Sequence, residues 1–267
     1  MPRIKSFQAI RPTAENAATV ASVPYDVVNR REAADLADGN AHSFLHVVRP
    51  DSDLPEDTNP NADEVYETAR RNLEQLISDG VLARDETSHL FAYRQIMNGV
   101  AQTGIVCCCH IDDYENNLIL KHEKTRKVKE DDRTRHLLTL NAHTGPVFLT
   151  YRDVAAVDAL IAETVSSSEA LYDFTAPDGV QHTVWQVADD SSLVEHLSAV
   201  AAFYVADGHH RSASAWRAGA ERRAANPNHT GDEEYNWFLT VLFPANQLNI
   251  LSYNRIIKDL NGQSVDD

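Results

Sequence analysis

The chain has only 3 cysteines in 267 residues, and they stand side by side as Cys107, Cys108 and Cys109 in GIVCCCHI. Strand alternation turns the middle one away from its neighbours, which suits neither a disulfide nor a zinc cage. They read as small buried hydrophobes, and the odd count fits a reducing compartment. No low-complexity block or internal repeat occurs, and with 10 glycines and 10 prolines the composition is not that of a fibrous or disordered chain. No apolar run reaches the roughly 20 residues that span a bilayer. The opening MPRIKSFQAIRP also lacks the apolar centre of a signal peptide. A cytoplasmic protein without a membrane partner is expected.

Positive charge is scarce: 24 Lys and Arg face 40 Asp and Glu, for a formal charge of −16. Such a field repels nucleic acid, so any anion site has to be local. The sequence contains no GxxxxGK[ST], no GxGxxG and no GxSxG, which argues against a P-loop NTPase, a Rossmann enzyme and an ordinary serine hydrolase.

What is present is a chain of interleaved helix and strand signals. Residues 24 to 50 read as a turn, a helix through Ala37, a glycine stop at Gly39 and a strand through Val48. Val65, Tyr66, Ala69, Leu73, Leu76 and Ile77 recur at helical spacing between Asp63 and Ser78. Two hairpins follow from Asn98-Gly99 and Asp178-Gly179, dipeptides that tolerate the positive φ of tight turns. GPVFLTY, residues 202 to 206 and NWFLTVLFP read as strands, VAAVDALIAETV and residues 209 to 225 as helices, and SSLVEHLSAV as a helix opened by a Ser192–Glu195 capping box. The pattern predicts an α+β fold, a mixed sheet with β-hairpins covered by helices. No linker divides residues 1–267, so a single domain is expected. The end at NGQSVDD, just after a cap or turn, reads as the N-terminal part of a longer protein.

Two segments carry chemistry. FYVADGHHRSASAW places Asp207, Gly208, His209, His210 and Arg211 between an apolar strand and a helix. The first turn of a helix has free backbone N–H groups and the positive end of the macrodipole, so an anion is stabilised there. Gly208 lets the backbone come close, Arg211 can grip two oxygens, and the histidines can donate to phosphate. Asp207 then becomes a candidate to take a hydroxyl proton or to orient Mg²⁺. Against this stands a plain helix cap with solvated histidines. No metal site is assigned, because adjacent histidines on a helix diverge by about 100° and at most one would ligate.

Lysine supplies the second segment. The chain has six, and Lys121, Lys124, Lys127 and Lys129 all fall in LKHEKTRKVKEDDRTRHLL with Arg126, Arg133 and Arg135. Those seven cations face Glu123, Glu130, Asp131 and Asp132, a local excess of +3. A cationic island on an acidic protein fits a phosphorylated small-molecule ligand, although a solvated charged loop reads nearly as well. His122 and Glu123 add a proton-transfer pair, and HEKTR lacks the second histidine of a zincin. Asp26 in PYDVV and Ser43, His46 and Arg49 in SFLHVVRP are candidates for a pocket wall. His46 reads equally as a satisfied core histidine.

PYDVVN at 24–29, GNAHSFLHVVRPD at 39–51, KHEKTR at 121–126, GPVFLTY at 145–151, DGHHR at 207–211 and YNRIIKDLNG at 253–262 together resemble the bacterial and archaeal family catalogued as domain of unknown function 1015. The resemblance spans nearly the whole chain and implies further sequence at the C-terminus. DGHHR between strand and helix is also similar, more distantly, to the phosphate-binding box of the ParB and sulfiredoxin superfamily, which includes free-serine kinases. That likeness implies that Gly208, His209, His210 and Arg211 hold the phosphates of ATP or ADP, with Asp207 or Glu123 as base. The superfamily's other box is not located in this chain. The expected function is phosphoryl transfer to a small hydroxyl-bearing metabolite, with Lys121, Lys124 and Arg126 steadying developing charge. The alternatives are a metal-dependent phosphoester hydrolase and a non-catalytic module that senses a nucleotide or phosphometabolite.

Overall fold

The computed structural model describes residues 1–267 apart from Tyr253, Arg255 and residues 265–267. In chain order its first elements are β1 (Ile4–Lys5), β2 (Ile10–Pro12), α1 (Ala17–Val20), α2 (Arg30–Ala37), α3 (Leu45–Val48), α4 (Asp63–Ser78) and β3 (Leu82–Arg84). Next come β4 (Phe91–Met97), β5 (Val100–His110), α5 (Ile111–Glu115), β6 (Ile119–Leu120), α6 (Lys127–Leu140), β7 (Val147–Tyr151) and α7 (Ala155–Ser167). The last are β8 (Tyr172–Thr175), β9 (Gln181–Gln186), α8 (Asp190–Ser198), β10 (Phe203–Asp207), α9 (His209–Ala225) and β11 (Trp237–Pro244).

The main sheet runs β6-β10-β7-β11-β5-β4-β9-β8, with β1 paired to the far end of β5; β2 and β3 form a separate ribbon. The pairs β6·β10 and β7·β11 are parallel and the rest antiparallel, so the expected mixed sheet is present. Alternation sorts the strands' side chains. Cys107, Cys109, Leu149, Val205, Phe238 and Leu242 share one core with Val157 and Ile161 of α7, Leu193 and Leu197 of α8, and Ala213 of α9. Phe148, Tyr204 and Leu239, which alternate with them, are only half-buried. Full burial of a side chain such as Phe238 contributes about 1.5–3 kcal/mol. The cysteines are free and buried, and desolvation pushes the Cys108 and Cys109 thiols far up, so they pack as hydrophobes.

The N-terminal elements lean on this layer through helices. α4 buries Val65, Tyr66, Ala69, Leu73 and Leu76 of the apolar positions read from sequence, leaves Ile77 exposed, and stops at Gly80 with φ +72°. Its apolar side joins Val47 of α3 and Leu140 of α6 in a second core. α6 in turn packs along α9, tied by Ser214 Oγ donating to the Glu130 carbonyl and by Arg217 paired with Glu130 and Asp131.

Three expectations on secondary structure need correction. Residues 43–48 are not a strand: Leu45–Val48 is a short helix whose Leu45, Val47 and Val48 are all buried. Tertiary packing overrides the β-propensity of HVV here, and Ser43 Oγ accepts the Leu45 N–H at 3.3 Å to start the turn. The basic segment is a loop only to Arg126 and helical from Lys127. α8 begins before the expected capping box: Asp189 is the N-cap and accepts from the Ser192 N–H at 3.1 Å and from Ser192 Oγ at 2.6 Å. Asn98 and Gly99 take the left-handed values expected of the β4–β5 turn, and Asn261 and Gly262 form a similar turn. Part of YNRIIKDLNG lies outside the described residues. Among the described residues no helix is long and apolar enough to cross a membrane.

Two histidines tie α6 and its exit loop to the rest. His136 Nε2–H donates to the Val47 carbonyl at 2.9 Å, and His143 Nε2–H donates to the Trp237 carbonyl at 3.1 Å. Desolvation lowers both to about 4. A folded-state value below the unfolded one means that the unfolded chain binds the proton first. Their contribution is therefore complete above about pH 6.5 and is lost progressively as the pH falls towards 4. For His136 the loss is about 3 kcal/mol. Urea melts of wild type and His136→Gln are expected to differ in slope against pH over that window, the variant being the flatter. Equal slopes would contradict this role.

Candidate functional site

The parallel pairing of β6 with β10 sets Ile119 beside Phe203 and Leu120 beside Tyr204, so both chains leave the sheet on the same side. The loop 121–126 therefore lies against the turn 207–208 and the first turn of α9. His210 Nε2 accepts the Arg126 N–H at 3.1 Å. His209 Nδ1 stands 3.5 Å from Glu123 Oε2, and its ring meets His122 edge-on at 4.4 Å. The two segments singled out in the sequence form one corner.

Two helix N-termini converge there. α9 has Gly208 as N-cap, at φ +91°, and α6 has Arg126; neither has a side-chain cap. Ser212 N–H is the first to bond back in α9, to the Gly208 carbonyl at 2.9 Å, and Lys129 and Glu130 are the first in α6, both to the Arg126 carbonyl. The N–H groups of His209, His210 and Arg211, and of Lys127 and Val128, precede these bonds and have no backbone acceptor among the described residues. The charge pattern runs against the helix dipole, which favours anions at an N-terminus by about 0.3–1 kcal/mol each. Here Arg126 is the N-cap of α6, Lys127 and Lys129 stand in its first turn together with one acid, Glu130, and Lys121 and Lys124 lie in the loop before it. Lys127 is paired with Asp131, and Lys121 Nζ lies 4.0 Å from the centre of the Tyr114 ring. Among the described residues the side chains of Lys124, Arg126 and Lys129 have no carboxylate partner, and all three are exposed.

Not every predicted site residue is free to meet a ligand. Arg211 folds back over Gly208, where a Cβ would come within 3.1–3.3 Å of its guanidinium, so a side chain there would crowd Arg211 besides straining the positive φ. Its guanidinium donates to Asp207 Oδ2 at 2.6 Å and to the Pro146 carbonyl, leaving Nε buried without a partner among the described residues. Arg211 holds Asp207 rather than offering an open fork. His209 is 4% exposed with Nε2 unpartnered among the described residues, and burial, then its neighbour His122, lowers its pKa. Asp207 and Glu123, by contrast, present carboxylates that are 66% and 62% exposed.

The wall candidates divide. Ser43 is buried in the α3 turn, and His46 is held by Asp53 at 2.7 Å and the Asn40 carbonyl, the Asp53 contact raising its pKa. Arg49 pairs with Asp51 and donates to the carbonyls of Tyr25 and Val28 at 3.1 and 2.6 Å, pinning the PYDVV loop. These three shape the scaffold, while Asp26 is exposed on that loop. Sequence reasoning missed Tyr25, whose ring lies 4.3 Å from the Arg133 guanidinium, and Pro146, whose carbonyl anchors Arg211. Both lie within motifs of the resemblance, PYDVVN and GPVFLTY, which named no role for them. Among the described residues no three His, Cys, Asp or Glu side chains gather as around a metal ion.

No curated protein and no solved structure matches the chain significantly. A family model does: the one described as a protein of unknown function, DUF1015, covers residues 4–267. The chain carrying this corner of two uncapped helices belongs to that family.

Proposed function

We propose that the corner binds the phosphates of a nucleotide or phosphorylated metabolite, and that the protein transfers a phosphoryl group to a small hydroxyl-bearing acceptor. One observation carries the reading: two helix N-termini without side-chain caps meet among cations that lack carboxylate partners. That arrangement costs stability until an anion enters it. Free N–H groups of the two first turns would take phosphate oxygens, and Lys124 and Arg126 would balance their charge. The likeness of DGHHR to the ParB and sulfiredoxin phosphate box supports the same placement.

Arg211 donates to Asp207, and this exposed carboxylate is the base of the proposed reaction. In the transfer the acceptor oxygen bonds to phosphorus, its proton passes to the Asp207 carboxylate, and the bond from phosphorus to the leaving oxygen breaks. Glu123, whose Oε2 stands 3.5 Å from His209 Nδ1, is the second exposed carboxylate of the corner. Mg²⁺ carried by a nucleotide would neutralise phosphate charge, and Asp207 and Glu123 are the side chains that could meet it. With water as acceptor the same parts would hydrolyse a phosphoester.

Thermal melts in ATP, ADP and pyrophosphate test the anion site. A ligand at 100 times its dissociation constant stabilises the native state by about 2.7 kcal/mol. A higher melting temperature is expected with all three and not with adenosine. No shift with any of them would refute the reading.

A further inference from the structure

We infer that His210 is a positioning residue: its imidazole holds the loop 121–126 against the start of α9 and so sets the spacing of the two helix N-termini between which the anion binds. This deepens the proposed phosphate site and rests on it. Arg126 is the N-cap of α6, and a helix often satisfies its N-cap N–H with a Glu or Gln side chain at the third helical position. In α6 that position is Lys129, whose ammonium can only donate. His210, 84 residues further along the chain, takes the place of the missing acid, its Nε2 accepting the Arg126 N–H at 3.1 Å. The N-cap of one helix is thereby closed by a side chain from the first turn of the other.

The bond fixes a proton as well as the loop. A neutral imidazole has one donor and one acceptor nitrogen, so acceptance at Nε2 puts the hydrogen on Nδ1. With Nε2 taken, that nitrogen does not donate to phosphate, and the ring serves the site through the loop it holds. The adjacent histidine accounts for the pair. Neighbouring side chains on a helix point about 100° apart. His210 meets the end of the loop at Arg126, while His209 meets its beginning, with Nδ1 3.5 Å from Glu123 Oε2 and its ring edge-on to His122 at 4.4 Å. The divergence that keeps the two rings from sharing a metal ion lets them hold both ends of one loop, with Lys124 and Thr125 between the two points. Thr125 Oγ1 donates to Glu130 of α6, which pairs with Arg217 of α9, so the held loop is tied into both helices.

Nitrogen-15 spectra of histidine-labelled protein at about pH 8, where ordinary histidines are neutral, test this together with pyrophosphate titrations of wild type, His210→Gln and His210→Leu. The His210 nitrogens are identified by their loss from His210→Gln. In wild type, Nε2 is expected to be the unprotonated nitrogen both in the free protein and at saturation with pyrophosphate. Gln can offer its Oε1 to the same N–H, so His210→Gln is expected to bind close to wild type. Leu offers no acceptor, and affinity in His210→Leu should fall by roughly two- to tenfold, the contribution of one neutral hydrogen bond, with the Arg126 amide resonance displaced. A proton on Nε2 in the complex, or wild-type affinity in His210→Leu, would overturn the role of His210 and leave the phosphate corner standing. If wild type itself takes up no pyrophosphate, both fail together.

Discussion

Lys124→Glu/Arg126→Glu is expected to lose pyrophosphate and ATP affinity by about a hundredfold or more while melting at a higher temperature than wild type. Ordinary surface sites do not couple those two outcomes. Each cation at the start of α6 opposes the dipole, and each acid that replaces one is favoured there by about 0.3–1 kcal/mol. An acid at Arg126, the N-cap of α6, and one at Lys124, two residues before it, should therefore stabilise the fold. The same exchange puts negative charge where phosphate oxygens would sit, and at about 4 Å and an effective dielectric near 20, like charges repel by about 4 kcal/mol. Weak binding without a gain in stability would mean that the pair serves packing. Unchanged binding would remove the loop from the site. Denaturant melts and calorimetry on the same preparations separate these results.

Asp207→Asn is expected to cut phosphoryl transfer by about 10²–10⁴-fold, the usual worth of a placed base, while changing ATP affinity little. The amide keeps the shape and can still accept from Arg211, so the turn at Gly208 is preserved. Ligand-dependent turnover, assayed by release of ADP with a panel of hydroxyl-bearing metabolites and with water alone, reads the rate; melts in ATP read the binding. Loss of turnover with binding retained supports an enzyme, either transferase or hydrolase according to the acceptor that sustains ADP release. Retention of every property in Asp207→Asn would leave the sensing alternative as the better account.

The elements that follow a period were legible in the sequence. α4 has its apolar residues at helical spacing, the two hairpins are marked by Asn-Gly and Asp-Gly, and α9 sits where DGHHR ends a strand. α3 was not legible, because SFLHVV has the composition of a strand and only packing against α2 and α4 makes it helical. α6 lacked a signal for another reason: its cations, acids and leucines are spread around the helix, which packs α9 on one side and α4 on another. The juxtaposition of the two motifs depends on two residue pairs of β6 and β10, too short a match to leave a pattern. The pairing of Arg211 with Asp207 is one helical turn in sequence, yet its fold over Gly208 and its bond to Pro146 need the tertiary structure. Chemistry could be assigned to residues from sequence; which donors the protein itself uses could not.

The most direct test follows the backbone amide resonances of Lys127, Val128, His209, His210 and Arg211 as pyrophosphate is added to the wild-type protein. Donation to phosphate oxygens should move these five together, with one saturation curve, and leave amides of the β4–β5 turn unmoved. Saturable binding with all five still, or with the largest changes elsewhere, would contradict the placement of the anion between the two helix N-termini.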